Sequence, residues 1–99
     1  MQRVKIKYTK GEAVKFLSHR NLMNVFFRAI RRAELPIAFS QGFNPHMKIS
    51  WGNALKVGQS SAGEEATLQI DGWIKPEEVK LRLNQTLPKG VAILEAHVI

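Results

Sequence analysis

The sequence predicts an α+β domain: a four-stranded antiparallel sheet with two helices on one face. Three observations lead there. The patterns along the chain run strand, helix, strand, strand, helix, strand, which is the ferredoxin-like βαββαβ order. Apolar residues repeat every 3.6 positions in the two helical stretches and every second position in the strands. Ninety-nine residues with 44% hydrophobic and 23% charged content make one domain, residues 1–99, with one modest core.

Each element has its own warrant. In "RVKIKYT", residues 3–9, Val4, Ile6 and Tyr8 point one way while Arg3, Lys5, Lys7 and Thr9 point the other. That is a strand with one apolar and one basic face. "KGEAVKF" reads as a turn and a short approach. The strongest helix spans residues 19–33. Leu22, Phe26, Ala29, Ile30 and Ala33 form its apolar stripe, and Pro36 stops it. At about 100° per residue, Arg20, Arg28 and Arg31 gather opposite that stripe, with Arg32 beside them and Phe27 at the border.

"IAFSQGFNPH" is irregular, with Gly42 and Asn44-Pro45 as turn residues. "MKISW" alternates again, with Met47, Ile49 and Trp51 inward. "KVGQSSAGEE" reads as a polar loop, and "EATLQID" as a strand with Ala66, Leu68 and Ile70 inward. "KPEEVKLRLNQTL" reads as the second helix. Pro76 and the acids Glu77 and Glu78 suit its first turn, and Val79, Leu83 and Leu87 make its stripe. "VAILEAHVI" is the last strand. The sheet face away from the helices would then carry Lys5, Lys7, Lys48, His46, Thr67, Gln69, Glu95 and His97. A second arrangement pairs residues 37–40 with 47–51 as a hairpin.

Charge is unevenly placed. The net charge is +7 and the pI about 10.2. Residues 1–48 hold ten Lys/Arg against Glu12 and Glu34, for +8; residues 49–99 hold five against six acids, for −1. A basic half of this kind points to a polyanion, with nucleic acid ahead of acidic protein, membrane surface or mere solubility. The absence of cysteine excludes disulfides, thiolate metal sites and cysteine nucleophiles. No stretch has the length of a membrane span or a signal-peptide core, so the expected location is cytoplasmic and no membrane partner is expected.

Three constellations could carry chemistry. In "FLSHRNL", Ser18 caps the first helix, yet His19 and Arg20 place positive charge where a helix start prefers negative charge. A bound phosphate would turn that cost into a gain, which makes Ser18, His19 and Arg20 a phosphate contact. Arg28, Arg31 and Arg32 extend it along the helix, and Lys5, Lys7 and Lys48 add a broader field. The guanidinium fork suits phosphate. The loop residues Gln41, Gly42, Phe43, Asn44 and His46 offer an amide, an aromatic ring and an imidazole on a turn-rich connection. His19 and His46 sit at opposite ends of the expected sheet, about 22 Å apart along fifteen helical residues, too far for a direct proton relay. Ligand spacing for a metal is missing, and so are the Walker and dinucleotide glycine patterns. No metal, no cofactor and no catalytic residue are expected.

The run from Phe16 to Leu68 resembles a bacterial radical-SAM-linked domain family of unknown function. The resemblance rests on a Phe-Leu-Ser-His start, the helix end Arg28-Ala29-Ile30-Arg31-Arg32-Ala33, Leu35-Pro36, and a Ser-x-Gly-Phe-Asn-Pro-His loop formed by Ser40 to His46. "RVKIKYTKG" and "LNQTLPKG" fit the flanks. The family carries an aspartate where this chain has Asn21, and its members run beyond 99 residues, so this chain is similar to the N-terminal half of a member. The resemblance implies association with a radical SAM protein and a role near ribonuclease and ribosomal-protein genes. Together these lead to an expected function: an RNA-binding accessory domain, with tRNA or rRNA as partners, acting beside a radical SAM protein. A docking module for that enzyme and a metal-free endoribonuclease are the alternatives.

Overall fold

The structure, a computed structural model, describes residues 2–52 and 61–99. It contains the expected four-stranded antiparallel sheet and two helices. In chain order these are β1 (Gln2–Lys10), α1 (His19–Arg32), β2 (Ile49–Trp51), β3 (Ser61–Ile70), α2 (Pro76–Thr86) and β4 (Ile93–Val98), with one 3-10 turn, Glu12–Val14, before α1. The sheet order is β2-β3-β1-β4.

Alternation in β1 sets the layers. Val4, Ile6 and Tyr8 are buried while Arg3, Lys5 and Lys7 are exposed. Leu22, Phe26, Ala29 and Ile30 of α1 and Val79 and Leu83 of α2 join them in one core with Leu68 and Ile70 of β3. Phe26 is fully buried, with its ring centroid 4.9 Å from Tyr8 and 5.3 Å from Trp51 in edge-on contact. The two helices are also tied by polar groups. The Thr86 hydroxyl donates to the Ala29 carbonyl at 3.0 Å. The Gln2 side chain accepts from the Ile74 N–H and donates to its carbonyl, each at 2.9 Å, which pins the β3–α2 connection to the start of β1.

Several boundaries differ from expectation. The polar stretch read as a loop through Glu65 instead enters the sheet at Ser61, because Glu64 and Glu65 pair with Tyr8 and Lys7 of β1. The earlier part of that loop, 56–60, lies outside the described residues. Helix α1 ends before Pro36 is reached. Glu34 turns left-handed at φ 55, and the Glu34 and Leu35 N–H groups bond back to Arg31 and Ile30. The expected strand and the alternative hairpin both exist in part. Ile37 bridges Ile70 and Phe39 bridges Met47, so the segment after α1 pairs first with the end of β3 and then with the residues leading into β2.

Candidate nucleic-acid interface

The capping geometry at the start of α1 is as its sequence implies. The Ser18 hydroxyl accepts the Asn21 N–H at 3.1 Å, and the Leu22 N–H bonds the Ser18 carbonyl. The N–H groups of His19 and Arg20 lie outside the helix's own ladder. No acid occupies this first turn. The His19 ring stands edge-on to Trp51, 5.6 Å between centroids, so the imidazole is partly covered by the end of β2. Beneath this segment lies a lysine that sequence reasoning missed. Lys10 is 1% exposed, and its ammonium donates to the Leu17 carbonyl at 2.9 Å. The period of two that buries Val4, Ile6 and Tyr8 also points Lys10 inward, and that was the available signal.

Arg20, Arg28, Arg31 and Arg32 are all exposed on the outer side of α1. Among the described residues none of the four is in an ion pair. Sequence explains why: α1 contains no carboxylate. Helix α2 differs, since Glu78 holds Arg82 one turn along at 3.0 Å. Arg28 and Arg32 line a groove of about 410 Å³ against Val25 and Ala29 of their own helix and Thr86, Leu87 and Pro88 at the end of α2. Those last three residues were not foreseen as site residues, because only tertiary packing brings them beside α1. Phe27 is half-buried.

Lys5, Lys7 and Lys48 lie on the opposite, open face of the sheet. Of the three, Lys5 alone is in an ion pair among the described residues. Lys5 pairs with Glu65 at 2.6 Å, and its ammonium, hydrogen-bonded and close, holds the Glu65 carboxyl below its usual value with a smaller contribution from Lys7. Lys7 stands between Glu65 and Glu95 in the pairing register, and His97 lies 3.8 Å from Glu95. Arg3, absent from the foreseen set, shares this face.

The loop of residues 40–46 is closed at its base. The Ser40 N–H donates to the His46 carbonyl at 2.8 Å, and the His46 N–H donates to the Ser40 hydroxyl at 3.0 Å. Gly42 takes φ 129, which the turn needs and a side chain would resist. Gln41, Phe43, Asn44 and His46 all face solvent, and the Phe43 ring is fully exposed.

The foreseen residues therefore do not converge on one point. They divide between the outer face of α1, the open sheet face and one loop. His19 touches Trp51 at the end of β2, whereas His46 lies five residues before Trp51, about 16 Å of extended chain. Among the described residues no group of three or more His, Cys, Asp or Glu side chains assembles to hold a metal ion, and no helix is long and apolar enough to cross a membrane. None of the curated proteins compared with this chain matches it. Residues 3–99 match the family described as "Uncharacterized protein conserved in bacteria (DUF2344)", and with nearly its whole length covered the chain belongs to that family.

Proposed function

We propose that this chain is an RNA-binding accessory domain, without catalysis of its own, that works beside a radical SAM protein in RNA metabolism or modification. The observation that carries the reading is the state of Arg20, Arg28, Arg31 and Arg32: four exposed guanidiniums on one helix with no ion pair among the described residues, in a chain with eight carboxylates. Each fork is free to take a phosphate oxygen pair. The His19 and Arg20 N–H groups at the helix start, beside Ser18, offer a further contact for one phosphate. Phe43, with Gln41, Asn44 and His46 around it, supplies a bare aromatic face for an unstacked base. Lys5, Lys7 and Lys48 contribute less, because Glu65 and Glu95 share their face.

Binding is tested by fluorescence anisotropy of labelled RNA against rising salt. With about five phosphates neutralised on a single strand, log K falls against log salt with slope near −3.5. A flat response removes the reading. One observation favours a second reading, docking on the radical SAM protein through the open sheet face: its alternating Lys5, Glu65, Lys7, Glu95 and His97 suit a mixed-charge protein surface better than a polyanion. Retention of the enzyme on immobilised chain, lost with sheet-face variants and kept with arginine variants, would favour that reading. The separation of His19 and His46 argues against acid–base cleavage by the pair. RNA left intact by the purified chain in EDTA would agree with that.

A further inference from the structure

The groove at the end of α2 divides the four arginines into two pairs. Arg28 and Arg32, one turn apart, line it; Arg20 and Arg31 do not. Like charges at this spacing repel by a few tenths of a kcal/mol, and among the described residues no carboxylate lines the groove to offset them. The rest of the lining is unlike an ordinary phosphate track. Val25, Ala29, Leu87 and Pro88 make apolar walls, and the Thr86 hydroxyl fixes the floor by joining α2 to the Ala29 carbonyl of α1. Its volume of about 410 Å³ falls in the range of sites that enclose a small molecule, about 300–1,000 Å³.

We infer that this groove is a nucleotide subsite. It takes one unstacked nucleotide of a single-stranded RNA, with the phosphate between the Arg28 and Arg32 forks and the base against Val25, Leu87 and Pro88. The inference rests on the RNA-binding reading and narrows it from a charged surface to a place that distinguishes strand form. A duplex presents phosphates to the arginines but keeps its bases stacked inside, so the apolar walls go unused. A single strand satisfies both. The competing account makes Arg28 and Arg32 counter-charges for the partial negative charge at the end of α2. That account expects their removal to lower stability and leave binding alone.

Two measurements on the full chain separate these outcomes. The first compares anisotropy titrations of a single-stranded RNA 12-mer and a hairpin duplex. The proteins are the unmodified chain, Arg28→Ala with Arg32→Ala, Arg20→Ala with Arg31→Ala, and Val25→Glu. The last puts a better helix former in place of valine while setting a carboxylate in the groove within reach of Arg28. The groove account expects tighter binding of the single strand. It expects about a tenfold or greater loss for the Arg28/Arg32 pair and for Val25→Glu, with unchanged Tm, and a smaller loss for Arg20/Arg31. Equal binding of both RNA forms, or an equal loss from both arginine pairs, overturns the subsite and leaves general RNA binding standing. A lowered Tm with unchanged affinity for Arg28/Arg32 overturns it in favour of the counter-charge account. The second measurement titrates ¹⁵N-labelled chain with adenosine 5′-monophosphate. Shifts confined to Arg28, Arg32, Thr86 and Leu87 support the subsite even if no long RNA binds, which would sink only the broader reading. Absence of those shifts overturns the subsite.

Discussion

Tyr8 is the one tyrosine in the chain, and its phenol is raised to about 12, first by burial and then by the nearby Glu64 charge. The sign of the consequence is fixed. Below pH 10 the phenol is protonated in both folded and unfolded states, and its contribution is fully present. Between pH 10 and 12 the unfolded chain loses the proton while the folded chain keeps it, so stability falls as pH rises through that window. Absorbance at 295 nm should show a single titration centred near 12, and Tyr8→Phe should flatten the alkaline loss in urea midpoints. A midpoint near 10 would mean the ring is not buried. Glu65 behaves in the opposite sense. Its carboxyl is held low by Lys5, so its contribution is present above the usual value and is lost as pH falls through the lowered one. Being exposed, that contribution shrinks in salt. Lys5→Ala should return the Glu65 carboxyl to the ordinary range in an NMR titration. At the start of α1, Ser18→Ala removes the acceptor for the Asn21 N–H and should cost about 1 kcal/mol in urea denaturation.

At the scale of elements, α1 is where sequence and structure agree most closely, and the reason is physical. Fourteen residues with a full apolar stripe, a serine cap and arginines opposite leave one solution to the period of 3.6. The strand β1 was legible for the same kind of reason, since Val4, Ile6 and Tyr8 alternate with three cations. Where periodicity is silent, the reading failed. Residues 61–64 look like a polar turn, yet pairing with β1 draws them into β3, an interaction that depends on a partner more than fifty residues away. Pro36 forbids α1 from continuing, and what its pattern does not reveal is the turn before it, where Glu34 takes a left-handed conformation usually held by glycine. That strain gives a prediction. Glu34→Gly removes about 1–2 kcal/mol of steric cost and returns about 0.5–1 through chain entropy. The net should be a rise in Tm of a few degrees. A fall would show that the Glu34 side chain contributes something its exposed position does not reveal. The candidate site was legible as single residues: the helix pattern exposes Arg20, Arg28, Arg31 and Arg32, and the turn residues expose the loop. The groove was not legible, because Thr86, Leu87 and Pro88 meet Arg28 and Arg32 only through the packing of α1 on α2.

At the scale of the molecule, the fold sorts charge by layer. The sheet face interleaves Lys5 and Lys7 with Glu65 and Glu95, while the α1 face holds cations alone. Four of the cations behind the net +7 therefore stand together on α1 with no carboxylate in that helix, an arrangement that attracts a polyanion. The most direct test of this account is the salt dependence of RNA binding measured twice, once on the chain as it stands and once with Arg20, Arg28, Arg31 and Arg32 all changed to alanine. The account predicts that the slope of log K against log salt moves from about −3.5 to about −0.7, as four of about five phosphate contacts are lost. A slope that the four substitutions leave unchanged, in a variant that still folds, would place the binding elsewhere and contradict it.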